Sequence, residues 1–232
     1  MIPIGDDEHR LSGGSFVLYG LLFVNVYVWV LELSAPDPDA FILAYATIPY
    51  DVTHWVVLPP PSPQFPPLTI VTSMFLHGGW LHIGFNMLFL FVFGRAVEAV
   101  CGHLRFFVFY LLCGIAGGIA QVAVAPGSHV PALGASGAIA GVLGAYLVNF
   151  PFASVRTIVP VFVIPLFVRL PAIMVIGVWA LTQFLDGFGT ISSRAAESTG
   201  GIAYFAHIGG FLAGVLLIGL MSKKKKMKIR AW

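Results

Sequence analysis

Residues 132–148 read ALGASGAIAGVLGAYLV, and the interpretation of the whole chain starts from this stretch. It is apolar and rich in glycine and alanine, and Ser136 stands among small residues. Small residues four positions apart let two membrane helices approach closely, and Gly137 and Gly141 have that spacing. The stretch therefore predicts a tightly packed transmembrane helix with a hydroxyl group near its N-terminal end.

The rest of the chain is also apolar enough to lie mostly in a bilayer. Of its 232 residues, 58% are hydrophobic and 9% are charged, and the mean hydropathy is +0.92. A soluble domain has about a quarter charged residues. We therefore expect an all-α membrane protein with a bundle of six transmembrane helices, since six stretches approach the roughly 20 apolar residues that a span needs: 14–33, 81–100, 104–124, 134–150, 171–190 and 204–221.

The six spans are expected to form one domain, residues 1–221, followed by a basic tail, residues 222–232. The longest connection, 34–76, contains PPPSPQFPP, which cannot continue a helix. FILAYATIPYDVTHWVV, at 41–57, is too short and broken to span, so we expect a long, interfacial and partly buried first loop. Cys101 and Cys113 show no metal-ligand spacing and are expected to be small buried thiols.

The placement of lysine and arginine predicts the orientation of the spans. With both termini cytoplasmic, as six spans require, eleven of the 12 Lys and Arg residues fall inside and Arg194 alone falls outside. The KKKKMKIR tail then lies at the anionic inner leaflet, which explains a basic run directly after a span better than nucleic-acid binding does. The even-numbered spans accordingly run from the outer side inwards.

Four polar residues fall at the outer ends of these even-numbered spans. His82 and Asn86 lie in the first turns of the second span and share one helix face, Ser136 begins the fourth span, and His207 begins the sixth. All four are therefore expected at a similar depth near the outer surface. Polar groups at such a depth are costly unless they are paired or face a cavity, which favours a functional site.

The sixth span has its own close-packing face, formed by Ala206, Gly210 and Gly214. If this face meets the glycines of the fourth span, His207 comes beside Ser136. A histidine within hydrogen-bond reach can take the serine proton as a general base, without the acidic member of a triad. The residues alone leave open the alternatives of a packing serine and a hydrogen-bonded structural histidine.

An attacked amide would also need hydrogen-bond donors for its developing oxyanion. The backbone N–H of Ser136 and the side chains of Asn86 and His82 are candidates. Residues 134–138 read GASGA and do not match the Gly-x-Ser-x-Gly elbow of α/β-hydrolases. A transporter would need a polar path through the membrane, whereas polar residues are expected to stop at the outer third. A haem- or metal-binding bundle built on His82 and His207 is a further, less favoured class.

Three stretches together resemble the rhomboid intramembrane serine proteases: FLHGGWLHIGFNMLFLFVFGRAVE (75–98), LGASGAIAGVLGAY (133–146) and AHIGGFLAG (206–214). The resemblance covers residues from about 69 to 221, and FGRAVEAVCGHLRFFVFYLLCGIAG (93–117) adds the connection between the second and third spans. It implies a six-transmembrane-helix bundle of rhomboid type, in its bacterial or archaeal form. It also implies cleavage of transmembrane segments of other membrane proteins.

Site roles follow from the same resemblance. It implies that Ser136 is the nucleophile, His207 the general base, His82 and Asn86 oxyanion donors with the Ser136 amide, and Gly134 the residue that shapes the preceding loop. It implies no metal and no cofactor. The expected partners are transmembrane protein substrates and the lipid bilayer, not nucleic acid, with the site toward the outer face of the cell membrane. The alternative is a catalytically inactive relative that binds client proteins.

Several residues depart from the family pattern or stand outside it. Ala140 occupies a position where rhomboids often have an aromatic residue against the histidine, so His207 must be oriented by other contacts. The Trp-Arg pair often found in the first loop is not evident. Further expectations are a lateral gate from Phe85 and Phe184, loop anchoring or capping by His77, an ion pair of Glu98 with Arg95 or Arg105, and a hydrogen-bonding anchor at Asp186.

Overall fold

The order of elements follows the hydropathy pattern of the chain. The structure, a computed structural model, describes residues 1–8, 14–161, 164–193 and 203–223. The elements are β1 (Ile2–Asp6), α1 (Phe16–Ser34), α2 (Pro38–Tyr45), α3 (Pro49–His54), α4 (Thr69–Thr72), α5 (Trp80–Cys101), α6 (His103–Val124), α7 (Ser136–Asn149), β2 (Ser154–Val161), β3 (Ile164–Pro171), α8 (Ala172–Ser193) and α9 (Tyr204–Met221). The basic tail from residue 224 onwards and Arg194 lie outside the described residues.

The long helices confirm a helical membrane protein. Each of the six predicted stretches coincides with a helix to within three residues, and α1, α5, α6, α8 and α9 are long and apolar enough to cross a membrane. The sixth, α7, has 14 residues and a rise of about 21 Å, shorter than a hydrocarbon core of about 30 Å. Residues 137–146 of α7 are all buried, because α5, α6 and α9 pack around it.

The packing of α7 on α9 confirms the close contact that the glycine spacing predicted. A Cβ atom added to Gly210 would collide with the carbonyl oxygen of Gly137, and one added to Gly214 would collide with that of Gly141. The two backbones therefore touch, which only residues without a side chain allow. This contact brings the first turns of both helices to the same end of the bundle.

A three-stranded antiparallel sheet, in the order β1-β2-β3, is an element that the sequence analysis did not predict. It lies between α7 and α8, where β2 and β3 pair along their length and β1 adds the N-terminal segment to β2. The β-branched residues of 154–161 were the available signal in the sequence. Proline is unfavourable inside a sheet, and the prolines at 160, 165 and 171 argue against strands when the sequence is considered alone. Tyr146 donates a hydrogen bond to the buried Asp6 at 2.8 Å, which ties β1 to the end of α7.

Glu98 is structural, but its expected partners were wrong. Its carboxylate is 1% exposed and accepts hydrogen bonds from two backbone N–H groups at the start of α1, at 3.1 and 2.8 Å. It also lies 2.6 Å from Nδ1 of His103. No pairing with Arg95 or Arg105 occurs among the described ion pairs. The free N–H groups at a helix N-terminus attract a carboxylate, which explains why Glu98 contacts the start of α1 and not the nearby arginines.

Two other expectations meet different outcomes. The first loop is partly buried as predicted, since Thr47 is buried and exchanges both backbone hydrogen bonds with Ala132 just before α7; its position at a membrane interface stays a prediction.

The expectation that polar residues stop at the outer third is wrong, because Asn25 and Tyr110 are fully buried further along α1 and α6. The Nδ2 group of Asn25 donates a hydrogen bond to the carbonyl of Leu21 on its own helix at 2.8 Å, which lowers the cost of burying it at such a depth. Cys101 and Cys113 are free and buried, as predicted.

Candidate active site

The centre of the candidate site is a contact between Ser136 and His207. Ser136 is the first residue of α7, and His207 lies in the first turn of α9, so the glycine contact between these helices sets their separation. His207 Nε2 lies 2.7 Å from Ser136 Oγ. His207 is 8% exposed, while Ser136 is half-buried and borders a cavity. This geometry allows a proton to pass directly from the hydroxyl to the imidazole.

His82 faces the same place from α5. The backbone N–H of Gly78 donates to His82 Nδ1 at 3.2 Å, so a neutral ring carries its proton on Nε2 and presents a donor there. A Cβ atom on Gly134 would lie 2.7 Å from that Nε2, and Gly134 has a φ of +124°, which strains any other residue. Gly134 therefore lets the chain turn into Ser136 while the His82 ring stands against its backbone.

Asn86 supplies a second donor one helical turn further along α5. Its side chain is 7% exposed, and its Nδ2 group finds no hydrogen-bond partner among the described residues. Buried polar groups normally have a partner, so an unpaired amide bordering a cavity is suited to a transient ligand. The backbone N–H groups of the first turn of α7 point to the same end of the helix, without acceptors inside it.

These groups meet in one cavity of about 700 Å³. It is enclosed by α5, α7, α8 and α9 together with the non-helical segment before α7. Ser136, His207, His82 and Asn86 all border it, together with apolar side chains such as Phe85. In the described part of the chain, no group of three or more His, Cys, Asp or Glu residues is arranged to hold a metal ion.

The comparison with known proteins matches this arrangement to one family. The model of the Rhomboid domain matches residues 66–224, which contain α5 to α9 and every residue of the cavity discussed above. The chain belongs to the rhomboid family. Many rhomboid proteins are serine proteases that act within the membrane.

Individual relatives support the same membership. The chain is 31% identical over 215 residues to "Rhomboid protein 1, mitochondrial" of Saccharomyces cerevisiae, covering 89% of this chain and 54% of the relative. It is 31% identical over 154 residues to "Rhomboid-like protein 11, chloroplastic" of Arabidopsis thaliana, covering 66% and 52%. "Rhomboid protease GluP" of Bacillus subtilis is 46% identical over 78 residues, which cover 34% of this chain and 15% of the relative. The chain thus spans about half the length of the first two relatives.

The expected gate residues of the rhomboid domain lie in different surroundings. Phe85 borders the cavity and is 44% exposed. Phe184 is 50% exposed, packs on Phe188 with ring centroids 4.7 Å apart, and does not border the cavity. The structure brings only one of the two to the site, and a gating role for either stays a prediction.

His77 anchors the loop before α5, as expected. It is completely buried, its backbone N–H donates to the carboxylate of Glu32 at 3.2 Å, and its ring packs against His82 with centroids 5.2 Å apart. Burial, with a smaller contribution from His82, lowers the pKa of His77 to about 3, so its ring stays neutral at physiological pH. Sequence reasoning missed Glu32, which is buried near the end of α1.

Gln183 is the site residue that sequence reasoning missed most clearly. Its Oε1 lies 2.6 Å from His207 Nδ1. The available signal was a polar side chain inside the apolar stretch 171–190. Asp186, the polar residue of this stretch that the sequence analysis singled out, is exposed and does not border the cavity. Periodicity does not reveal which face of α8 meets α9, so the contact is visible only in three dimensions.

Proposed function

We propose that this chain is an intramembrane serine endopeptidase that cleaves transmembrane segments of other membrane proteins. Ser136 acts as the nucleophile and His207 as the general base. The observation that carries the proposal is the 2.7 Å contact between Ser136 Oγ and His207 Nε2 at the edge of a cavity in a rhomboid domain. A role in packing alone does not require an imidazole nitrogen on the hydroxyl or open space beside it.

The reaction follows from the groups that are present. Ser136 Oγ bonds to the carbonyl carbon of the scissile peptide while its proton moves to His207 Nε2. When the tetrahedral intermediate collapses, the carbon–nitrogen bond breaks and the imidazolium returns the proton to the leaving amine. Water then attacks the acyl-enzyme by the same route, with His207 again as base, and releases Ser136.

The oxyanion of each intermediate needs donors that are already in place. We assign this role to the Nε2–H of His82, the side-chain amide of Asn86 and the backbone N–H of Ser136. The hydrogen bond from Gly78 supports the donor tautomer of His82, and the unpaired Nδ2 of Asn86 supports its availability. Gly134 is assigned to the turn that presents the Ser136 amide, since its φ of +124° suits glycine.

The orientation in the membrane is also part of the proposal. Both termini face the cytoplasm and the cavity faces the outer side, because Lys and Arg concentrate in the inner loops and the tail. Names of relatives point to mitochondria and chloroplasts, and they give no support to the expected plasma membrane. Attaching a cysteine-reactive, membrane-impermeant label to Ser128→Cys and Lys226→Cys variants in sealed vesicles tests the orientation: the two positions must label from opposite sides.

The decisive experiment uses a fluorophosphonate probe and a reporter substrate with a transmembrane segment. The purified full chain is expected to label and to cleave, and Ser136→Ala and His207→Ala each lower the cleavage rate by about 100,000-fold or more, since the two groups act as a unit. Ser34→Ala is the matched control, because its exposed hydroxyl bonds only to its own helix. Cleavage by Ser136→Ala at the wild-type rate would overturn the proposal. Reporter binding without labelling by the wild-type chain would instead support the inactive client-binding alternative.

A further inference from the structure

We infer that Gln183 is a positioning residue that holds His207 in the tautomer and orientation needed to accept the Ser136 proton. This inference rests on the proposed protease function. It concerns a helix, α8, that contributes none of the four residues on which that proposal depends. The contact joins the Oε1 atom of Gln183 and Nδ1 of His207 at 2.6 Å.

The orientation of the Gln183 amide is determined by a second hydrogen bond. Its Nε2 group donates to the hydroxyl of Thr182 at 3.1 Å, and that hydroxyl donates to the backbone carbonyl of Trp179 at 2.7 Å. The amide nitrogen is therefore engaged on α8 itself, and the amide oxygen is the atom that faces His207. An amide oxygen only accepts hydrogen bonds, so Nδ1 of His207 must carry the proton.

The tautomer of His207 decides whether it can act as a base. A neutral imidazole has one N–H group, so a proton on Nδ1 leaves the lone pair of Nε2 directed at Ser136 Oγ, 2.7 Å away. The other tautomer would present an N–H to the serine oxygen and could not accept its proton. Hydrogen bonds therefore run from Ser136 through His207 to Gln183 and onward to Thr182 and Trp179.

Packing on the imidazole ring supports the same role. The Trp179 ring lies 5.9 Å from the His207 ring, centroid to centroid, and limits its rotation. Ala140 is too small to provide that contact from α7. Asp186, the carboxylate further along α8, is exposed and interacts with Tyr204 instead. A neutral amide thus stands where a serine-protease triad has a carboxylate, and it supplies orientation without a compensating charge.

The inference is tested with two replacements of Gln183 in the full chain. Gln183→Leu removes the acceptor, and kcat is expected to fall by about 100-fold while KM stays near the wild-type value, because the loss affects proton transfer and not binding. Gln183→Glu keeps an acceptor at the same position and is expected to restore kcat to within about tenfold of wild type. Leu185→Ala, which shortens a 60% exposed side chain two residues further along α8, is the control and should leave kcat unchanged.

A spectroscopic measurement separates positioning from general stabilisation of α8. Nitrogen NMR of the histidine-labelled chain, with the His207 signals assigned by comparison with His207→Ala, reports which ring nitrogen carries the proton. Wild type and Gln183→Glu should show the proton on Nδ1, and Gln183→Leu should show a mixture of tautomers. Unchanged tautomer and kcat within twofold of wild type in Gln183→Leu would overturn the inference, as would a loss in Gln183→Glu as large as in Gln183→Leu. Failure of the protease proposal shows separately, as cleavage that survives Ser136→Ala, and leaves the NMR test valid.

Discussion

The two helices that flank α9 at the candidate site contact it in opposite ways. Helix α7 meets α9 backbone to backbone through Gly137, Gly141, Gly210 and Gly214, whereas α8 reaches it mainly through side chains such as Trp179. The glycine contact leaves no room for adjustment and sets the distance between Ser136 and His207. The side-chain contact sets the direction of the imidazole. Distance and direction at the site are thus controlled by different interfaces.

Among changes that leave Ser136 and His207 in place, disrupting the glycine contact between α7 and α9 is expected to have the largest effect on activity. Gly210→Val places a branched side chain against the Gly137 carbonyl and must separate α7 from α9. A displacement of 1 Å costs about 100-fold in rate, so we expect fluorophosphonate labelling to fall by at least about 1000-fold. Gly219→Val on the exposed side of the same helix, where a Cβ atom meets nothing within 4 Å, is the control. Equal labelling of the two variants would show that the glycine contact does not set the distance.

A smaller loss of activity is expected when a hydrogen-bond donor on α5, outside both α7 and α9, is removed. Asn86→Ala removes the side-chain amide on α5 to which we assign an oxyanion-binding role, and kcat should fall by about 100-fold if that donor is lost. The stability of the fold should change little, since the Nδ2 group of Asn86 has no hydrogen-bond partner to lose in the described part of the chain. Asn149→Ala, which removes an exposed amide bonded to its own helix, is the control for kcat. A loss of stability without a loss of kcat would assign Asn86 to packing.

Shortening an apolar side chain of α5 at the cavity wall should have a still smaller effect, and this effect should be on substrate binding. Phe85→Ala removes a half-exposed ring from the cavity wall, and KM for the reporter should change by about two- to fivefold, as expected from partial loss of apolar contact. Phe184→Ala is expected to change KM by less than about twofold, because its ring does not border the cavity. Equal changes of KM in the two variants would support the prediction that Phe85 and Phe184 form a gate together.

A substitution at the opposite end of the bundle is expected to lower stability and to leave the catalytic rate unchanged. Glu98→Ala leaves two N–H groups of α1, one buried and one partly buried, without an acceptor, which costs about 1–3 kcal/mol for a buried group left unsatisfied. Thermal denaturation in detergent should therefore begin at a lower temperature, while kcat per folded molecule stays at the wild-type value. Asp39→Ala, in the exposed first turn of α2, is the control for stability. A fall in kcat of the folded protein would mean that the two ends of the bundle are coupled.

Much of this architecture could be predicted because the bilayer restricts what a chain can do. Spans must be long and apolar, so the six helices were located to within three residues. Small residues at a spacing of four mark close helix contacts, so Gly137, Gly141, Gly210 and Gly214 already predicted which faces of α7 and α9 meet. The proximity of Ser136 and His207 was predicted on the condition that these faces meet, and the structure shows that they do.

Tertiary structure decided what depends on the rotation of one element against another. The hydropathy of α8 does not reveal that Gln183 points at His207, because a largely apolar helix can present any face to its neighbour. Two other contacts join residues far apart in the chain that no local pattern connects. Backbone N–H groups of α1 donate to the Glu98 carboxylate, and β1 pairs with β2. The sequence by itself determined the positions of the helices and the small-residue faces that allow α7 and α9 to meet. The contact between Ser136 and His207 exists only once those faces have packed, and the direction of the imidazole depends on a hydrogen bond that exists only once α8 has docked.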